Sequence, residues 1–283
     1  MKPTTYSVST SAIGGPGIAL APGQEEAGTL VASARAWTVR GLSVRLAITA
    51  EDRRQLIELR TAVYRGVGKH QADSPMEDAF DAGAILIGVR DGDRLIACVR
   101  VLARTPGQEW EHDRFVEWGA KYPPKEDLVE ISRLCCRAHD RSWRTLQAVF
   151  HGIIRALGPV GRRYFVGCCT SELRSGYDRM FSLAFTDDAI LHADLGPKLH
   201  HMFVCDYHYG LTGRGITLLV WSSLWARLGL IGLLKGELLS WEPAWKRGLL
   251  VVRCAAGSAL APLATWIIER SRVQRRFFAG RRP

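Results

Sequence analysis

The sequence predicts an α/β (α+β) fold: a mixed central sheet flanked by helices, followed by a helical, basic, tryptophan-rich C-terminal extension. Three observations predict it. Between residue 42 and about residue 209, short extended apolar segments alternate with segments of helical period. Two apolar runs are joined by Asp91-Gly92-Asp93, a hairpin signal. Beyond residue 214 the apolar stretches lengthen and acquire Arg and Trp. A chain of 283 residues with 47% hydrophobic residues is long enough for one principal domain with a sizeable core plus additional segments.

Residues 1–40 are rich in Gly, Ser, Thr, Ala and Pro without hydrophobic periodicity, and read as a flexible lead-in. Gly or Pro interrupts every apolar stretch up to Gln24, so a secretory signal peptide is not expected. From Leu42 to Ile48 the pattern alternates as a strand, and Thr49-Ala50-Glu51-Asp52 then supplies an N-cap with acidic first-turn residues. The helix that follows carries Leu56, Leu59, Val63 and Tyr64 on one face. A hairpin spans Ala84 to Leu102, a strand Leu128 to Cys136, a helix Thr145 to Leu157, a strand Arg163 to Thr170 and a helix Leu173 to Leu183. An extended segment then opens at Ala184. The expected organisation is a lead-in over 1–40, the main domain over 41–213 and a basic amphipathic helical extension over 214–283.

The formal charge of +10 lies mostly in that extension, where residues 214–283 hold 12 Lys or Arg against 3 Glu. Such a segment seeks an anionic partner. Its apolar stretches, Ile216 to Leu234 and Leu249 to Ile268, are broken by Arg227 and Arg253, so a membrane crossing is not favoured. Trp221, Trp225, Trp241, Trp245 and Trp266 among Leu and Arg suit helices lying in a membrane interface, and equally helices that cap the core. Those tryptophans sit in apolar runs rather than between basic residues, so no nucleic-acid partner is expected. Seven cysteines, several adjacent and none at zinc or disulfide-framework spacing, fit a reducing cytoplasm, with peripheral contact at the inner face of the membrane through 214–283.

Glu130 and Ser132 share one face of the strand Leu128–Cys136 and Arg133 the other, unless a bulge brings Glu130 and Arg133 to one cleft. A carboxylate on a central apolar strand needs a partner or a catalytic use. On spacing alone, a strand-end salt bridge fits as well as an active site.

In chain order stand Arg60-x-x-x-Tyr64, Asp78-x-Phe80-Asp81, Ala97-x-x-Arg100-Val101-Leu102 and Glu130-Ile131-Ser132-Arg133. This set resembles the acyl-homoserine-lactone synthases and their relatives the N-acyl amino acid synthases. Tyr177 to Phe185 is similar to the helix-to-strand corner of the wider N-acetyltransferase (GNAT) fold. The resemblance implies a GNAT-like mixed sheet and transfer of a fatty acyl group from an acyl-carrier-protein thioester to an amine. It implies catalytic roles for Glu130, Arg133 and Arg100, and substrate binding by Arg60, Tyr64, Asp78, Phe80, Asp81 and Ser132.

The loop Arg137-Ala138-His139-Asp140-Arg141-Ser142-Trp143-Arg144 lacks the glycines with which coenzyme-A users cradle pyrophosphate. Arg137, Arg141 and Arg144 suit the single phosphate of a phosphopantetheine arm on a carrier protein; a solvated basic loop is the competing reading. Arg65-Gly66-Val67-Gly68-Lys69-His70 lacks the tryptophan that lactone synthases use for S-adenosylmethionine, which favours an amino acid or other plain amine as acceptor. A lactone synthase using S-adenosylmethionine is one alternative function. A non-catalytic binding module on the same fold is the other.

In the expected mechanism Glu130 takes the proton of the acceptor amine, because a protonated amine has no lone pair to attack a thioester. Arg133 and Arg100 orient the acyl group or an acceptor carboxylate. A thiol route through Cys135, Cys136, Cys168 or Cys169 needs an identifiable base. His139 is near in sequence, but direct transfer needs no such residue and is the favoured reading. His200-His201 and His208 lack a carboxylate partner at metal spacing, so neither a metal nor a tightly bound cofactor is expected.

Overall fold

The computed structural model describes residues 36–70, 72–103, 109–157, 162–181, 183–192, 198–206 and 243–270. Eight strands form one sheet: β1 (Ala36–Val39), β2 (Leu42–Leu46), β3 (Ile85–Asp91), β4 (Arg94–Ala103), β5 (Leu128–Cys136), β6 (Tyr164–Thr170), β7 (Ala184–Leu191) and β8 (Leu199–Asp206). Their order across the sheet is β1-β2-β3-β4-β5-β6-β8-β7. Among the described residues four α-helices accompany them: α1 (Ala50–Gly66), α2 (Trp143–Leu157), α3 (Ser171–Phe181) and α4 (Ala244–Arg270). The expected mixed sheet flanked by helices is therefore present, with its elements in the expected order.

Local chemistry explains the boundaries. Thr49 accepts the Asp52 N–H at 3.0 Å while the Asp52 carboxylate accepts the Thr49 N–H at 3.3 Å, a reciprocal cap that starts α1. Ser142 Oγ accepts the Thr145 N–H at 3.1 Å, so α2 begins two residues before the Thr145 start expected from periodicity. Two further expectations need correction. Residues 36–39 of the lead-in form β1, because Arg40 and Gly41, at φ of 50° and 79°, make a two-residue hairpin turn onto β2. The extended region after Ala184 is two strands, with β8 folding back between β6 and β7.

The sheet has a helix on each face. α2 covers β1 to β4, where Trp143, Leu146, Val149 and Ile153 pack with Val44, Ile87, Val99 and Ile131. α1 covers β3 to β5, where Leu56, Leu59 and Tyr64 pack with Leu86, Leu102, Leu128 and Val166. Burial on both faces is why β3 and β4 read as nearly continuous apolar runs.

Every neighbouring pair is antiparallel except β5 and β6, which run parallel and are joined through α2. Their ladder pairs Leu128–Val129–Glu130 with Tyr164–Phe165–Val166 and ends there, although β5 continues to Cys136 and β6 to Thr170. The two strands thus part just beyond Glu130.

The lead-in over 1–35, the apolar stretch Ile216 to Leu234 and the tryptophans Trp221, Trp225 and Trp241 lie outside the described residues. The second apolar stretch is helical, in α4. One face of α4 carries buried Ala264, Thr265 and Ile268, and Ile268 joins the core beneath α2. Glu269 pairs with Arg40 at 2.8 Å, and Arg40 also donates to Gln147 at 3.0 Å. The opposite face exposes Trp245, Leu249, Val252, Leu260, Leu263 and Trp266. Among the described residues no helix is long and apolar enough to cross a membrane.

Where β5 and β6 part, a Cβ on Gly167 would lie 2.9 Å from the Ile131 carbonyl oxygen and 2.9 Å from Phe203 Cζ. A backbone oxygen cannot rotate aside as a side chain can. Gly167→Ala should therefore lower unfolding stability by about 1–3 kcal/mol, measured by urea denaturation; unchanged stability would show that the two strands separate without strain.

Candidate active site

The site begins with an irregularity in β5. Pairing between β4 and β5 steps from Cys98↔Cys135 to Arg100↔Ser132, so β5 carries one extra residue. Arg133 takes up that excess with φ of 56°, a left-handed conformation rare for a side chain as large as arginine. The bulge lets the side chains of Ser132 and Arg133 join one cluster, where strict alternation would separate them.

Three guanidinium groups meet three carboxylates there. Arg60 of α1 makes a two-pronged pair with Asp81 at 2.9 and 2.5 Å. Arg100 of β4 donates to Ser132 Oγ at 3.0 Å, to Asp78 at 2.6 Å, to Asp81 at 3.3 Å and to Glu111. Arg133 donates to Asp78 at 3.0 Å and to Glu111. His192 lies 2.8 Å from Glu111 on the same side. Arg100 is wholly buried, and only Asp78 in the set is appreciably open, its side chain 24% exposed.

Asp78 also accepts the Phe80 N–H at 3.0 Å, a local turn that presents Phe80 to the cluster. Arg114 stacks 4.7 Å from the Phe80 ring centre and Arg100 5.7 Å from it. Tyr64 is buried on α1, and burial raises its hydroxyl above the ordinary tyrosine value.

The cluster is charge-balanced, and its carboxylates behave accordingly. Burial favours a neutral Glu111, yet the His192 bond and the charges of Arg133 and Arg100 hold it far below the carboxylate range. Asp81 is likewise lowered, burial being outweighed by Arg60 and Arg100. The sequence-predicted residues Arg60, Tyr64, Asp78, Phe80, Asp81, Arg100, Ser132 and Arg133 thus converge on the α1 face of the sheet. Every guanidinium nitrogen of Arg100 is already engaged within the network.

Glu130 occupies a separate position. Its carboxylate is wholly buried at the end of the β5–β6 ladder, where Oε2 accepts the His112 N–H at 3.1 Å and lies 2.9 Å from His112 Nδ1. Oε1 has no hydrogen-bond partner. Burial opposes charge on His112, but the Glu130 carboxylate beside it outweighs burial and raises His112 well above the ordinary histidine value.

Glu111, His112 and His192 were not among the residues singled out from sequence. The segment holding Glu111 and His112 reads as a polar connection. Its one visible signal is the tetrad Trp110-Glu111-His112-Asp113 followed by Phe115 and Trp118, titratable groups bracketed by aromatics. The basic loop lies apart, after the end of β5 that has left β6. Arg137 donates to the Leu95 carbonyl at 2.9 Å, Arg144 donates to the Arg40 carbonyl at 2.9 Å and lies 3.5 Å from Asp91, and Arg141 is half-buried. Among the described residues no group of three or more His, Cys, Asp or Glu side chains is placed to hold a metal ion.

No protein-family model matches the chain, and no curated protein matches it. Its structure is similar to FeeM, an N-acyl amino acid synthase from uncultured soil microbes, with TM-score 0.49 and 10% identity over 62% of this chain and 98% of that one. It is also similar to the inhibitor-bound ternary complex of TofI, with TM-score 0.44 and 15% identity over 58% of this chain and 90% of that one. An acyl-CoA N-acyltransferase from Pseudomonas aeruginosa gives TM-score 0.42 and 16% identity over 58% of this chain and 97% of that one.

Because Glu111 and Asp81 titrate below ordinary carboxylates when folded, their contribution to stability is present above about pH 4 and is lost as pH falls toward their lowered values. Glu111→Gln leaves buried guanidinium charge unbalanced. It should cost about 3–5 kcal/mol at neutral pH and flatten the acid limb of stability between about pH 5 and pH 2. Urea titrations at stepped pH read both effects, and parallel acid limbs for wild type and variant would contradict the assignment.

Proposed function

We propose that the protein is an N-acyltransferase that moves a fatty acyl group from an acyl-carrier-protein thioester to the amine of an amino acid or similar small molecule. The observation that carries this reading is Glu130: a buried carboxylate with one free oxygen, at the point where the parallel strands β5 and β6 part.

Parted strands retain backbone donors and acceptors that a ladder would otherwise use. An extended pantetheine arm carries amides that match them, and a thioester placed in the opening would meet Glu130 at its closed end. The open end is flanked by the loop with Arg137, Arg141 and Arg144 and by the N-terminus of α2, a setting suited to a phosphate. Donor phosphate and thioester then lie at opposite ends of one cleft.

Attack by the amine requires it to arrive uncharged. Glu130 Oε1 accepts its proton while Oε2 stays with His112. Arg100 and Arg133 act as positioning residues, since their bonds to Glu111 fix the neighbouring His112 against Glu130. Asp78, the open acidic member of the cluster, is suited to meet the cationic acceptor before it loses its proton. No tightly bound cofactor enters this scheme.

We also propose that the outer face of α4 rests on an anionic lipid surface. Its exposed apolar stripe ends in Trp245 and Trp266, and the region 214–283 carries a large excess of positive charge. This would keep the enzyme close to a lipid product. The full-length protein should float with vesicles containing phosphatidylglycerol and less with phosphatidylcholine alone, and Leu249→Asp with Leu263→Asp should reduce flotation several-fold. Equal recovery with both vesicles, or an unaffected double variant, would refute the contact.

Glu130→Gln should lower the rate of amine acylation by about 10²- to 10⁴-fold while the circular dichroism spectrum is retained. The assay supplies fatty-acyl carrier protein with a panel of amino acids and detects amides by mass spectrometry. A fully active variant would remove Glu130 from the mechanism, and absence of transfer by the wild type would favour a binding module on the same fold.

A further inference from the structure

Cys98 of β4 and Cys135 of β5 stand directly opposite each other in the sheet, on the α1 face. Both are buried, and their sulfurs are 3.3 Å apart. Opposed residues of an antiparallel pair have Cα atoms about 4.5–5.5 Å apart, inside the span that a disulfide bridges. Bond formation needs the sulfurs to approach by roughly 1.3 Å, to a covalent length of about 2 Å. The neighbouring Cys136 packs on the other face and donates to the Arg137 carbonyl at 3.4 Å. The register of β4 and β5 steps immediately after the Cys98–Cys135 pair, and Arg100 and Arg133 follow within the irregular stretch. Cys98 also borders space that a small oxidant can occupy. Together with Arg60, Arg100 and Arg133 it lines a cavity between α1 and β4 with room for about one water-sized molecule, whereas Cys135 does not line it. Arg60 is buried, and its Nε–H has no hydrogen-bond partner. Hydrogen peroxide has an oxygen to accept from such a donor and an O–O bond that a thiol sulfur attacks.

We propose that Cys98 and Cys135 are an oxidation site: peroxide in this cavity oxidises Cys98, and Cys135 then closes a cross-strand disulfide that locks the bulged register of β4 and β5. This chemistry does not depend on acyl transfer.

The Cys98 sulfur attacks one peroxide oxygen, the O–O bond breaks, and the departing hydroxide takes the thiol proton. The products are a Cys98 sulfenic acid and water. The Cys135 sulfur then attacks Cys98 Sγ, the S–OH bond breaks, and the second hydroxide leaves with the Cys135 proton as water. Two thiols are oxidised and one peroxide is reduced. Contact with Cys98 and burial raise the Cys135 thiol well above its ordinary value, so it keeps its proton until this second step. The bridge closes a loop between positions 37 apart, and that loop contains Glu111 and His112. Oxidation therefore adds a covalent tie to the ion pairs that already hold these two residues in place.

Three measurements test this on the full-length protein. Millimolar hydrogen peroxide, followed by alkylation of the remaining thiols and peptide mapping without reductant, should yield a Cys98–Cys135 link that dithiothreitol reverses. The linked protein should unfold at a urea midpoint higher by roughly 1 M, and reduction should restore the original midpoint. Cys135→Ala removes the second thiol, so dimedone should then label Cys98 as its sulfenic acid, while Cys98→Ala should leave Cys135 unlabelled. Two thiols that serve only as core residues would stay unlinked and unlabelled in the folded protein, and that result overturns the oxidation site. A link that joins Cys136 in place of Cys135, or that forms only once urea has unfolded the chain, overturns it as well. An unchanged or lowered midpoint in the linked protein overturns the locking of the register.

Discussion

The buried charge network on the α1 face is the constraint on which the rest depends. Three arginines and three carboxylates in a poorly hydrated space stabilise the fold only when all are present, since desolvation of each ion is large and mutual pairing alone offsets it. The members come from α1, from the connection before β3, from β4, from the turn after β4 and from β5. No member can relocate without leaving a buried charge unmatched. The network therefore specifies where two irregular connections lie, which apolar contacts do less selectively.

Its local requirement is the bulge at Arg133. A left-handed arginine costs about 1–3 kcal/mol, and glycine would remove that cost, but glycine carries no guanidinium. The ion pairs with Asp78 and Glu111 offset the strain and hold β5 in its bulged register. The β5–β6 ladder ends at Glu130, just before the bulge, so an irregular residue, the end of a ladder and a fixed carboxylate arise in one stretch of chain.

The network and the reactive group meet through adjacency in sequence. Glu111 is fixed by Arg100 and Arg133, so His112 is delivered to Glu130 with little freedom of its own. The arginines thus hold the segment that carries His112, and His112 in turn meets Glu130 at the end of the β5–β6 ladder. The Glu130 carboxylate against the ring is what holds His112 above the ordinary histidine value in a buried place.

The sequence by itself determined the sheet-and-helix order, the cap at Thr49, the Asp91-Gly92-Asp93 hairpin and the cluster of Arg60, Asp78, Asp81, Arg100 and Arg133, because hydrophobic period, cap and turn chemistry are local, and because motif order supplied what spacing could not. Only the tertiary structure decided that β8 inserts between β6 and β7, that residues 36–39 extend the sheet, and that α4 has one docked and one exposed face. It alone brought His112, from the connection after β4, to Glu130 on β5. No periodicity encodes such a meeting, since it follows from burying charges that need partners and from strands that part once their ladder ends.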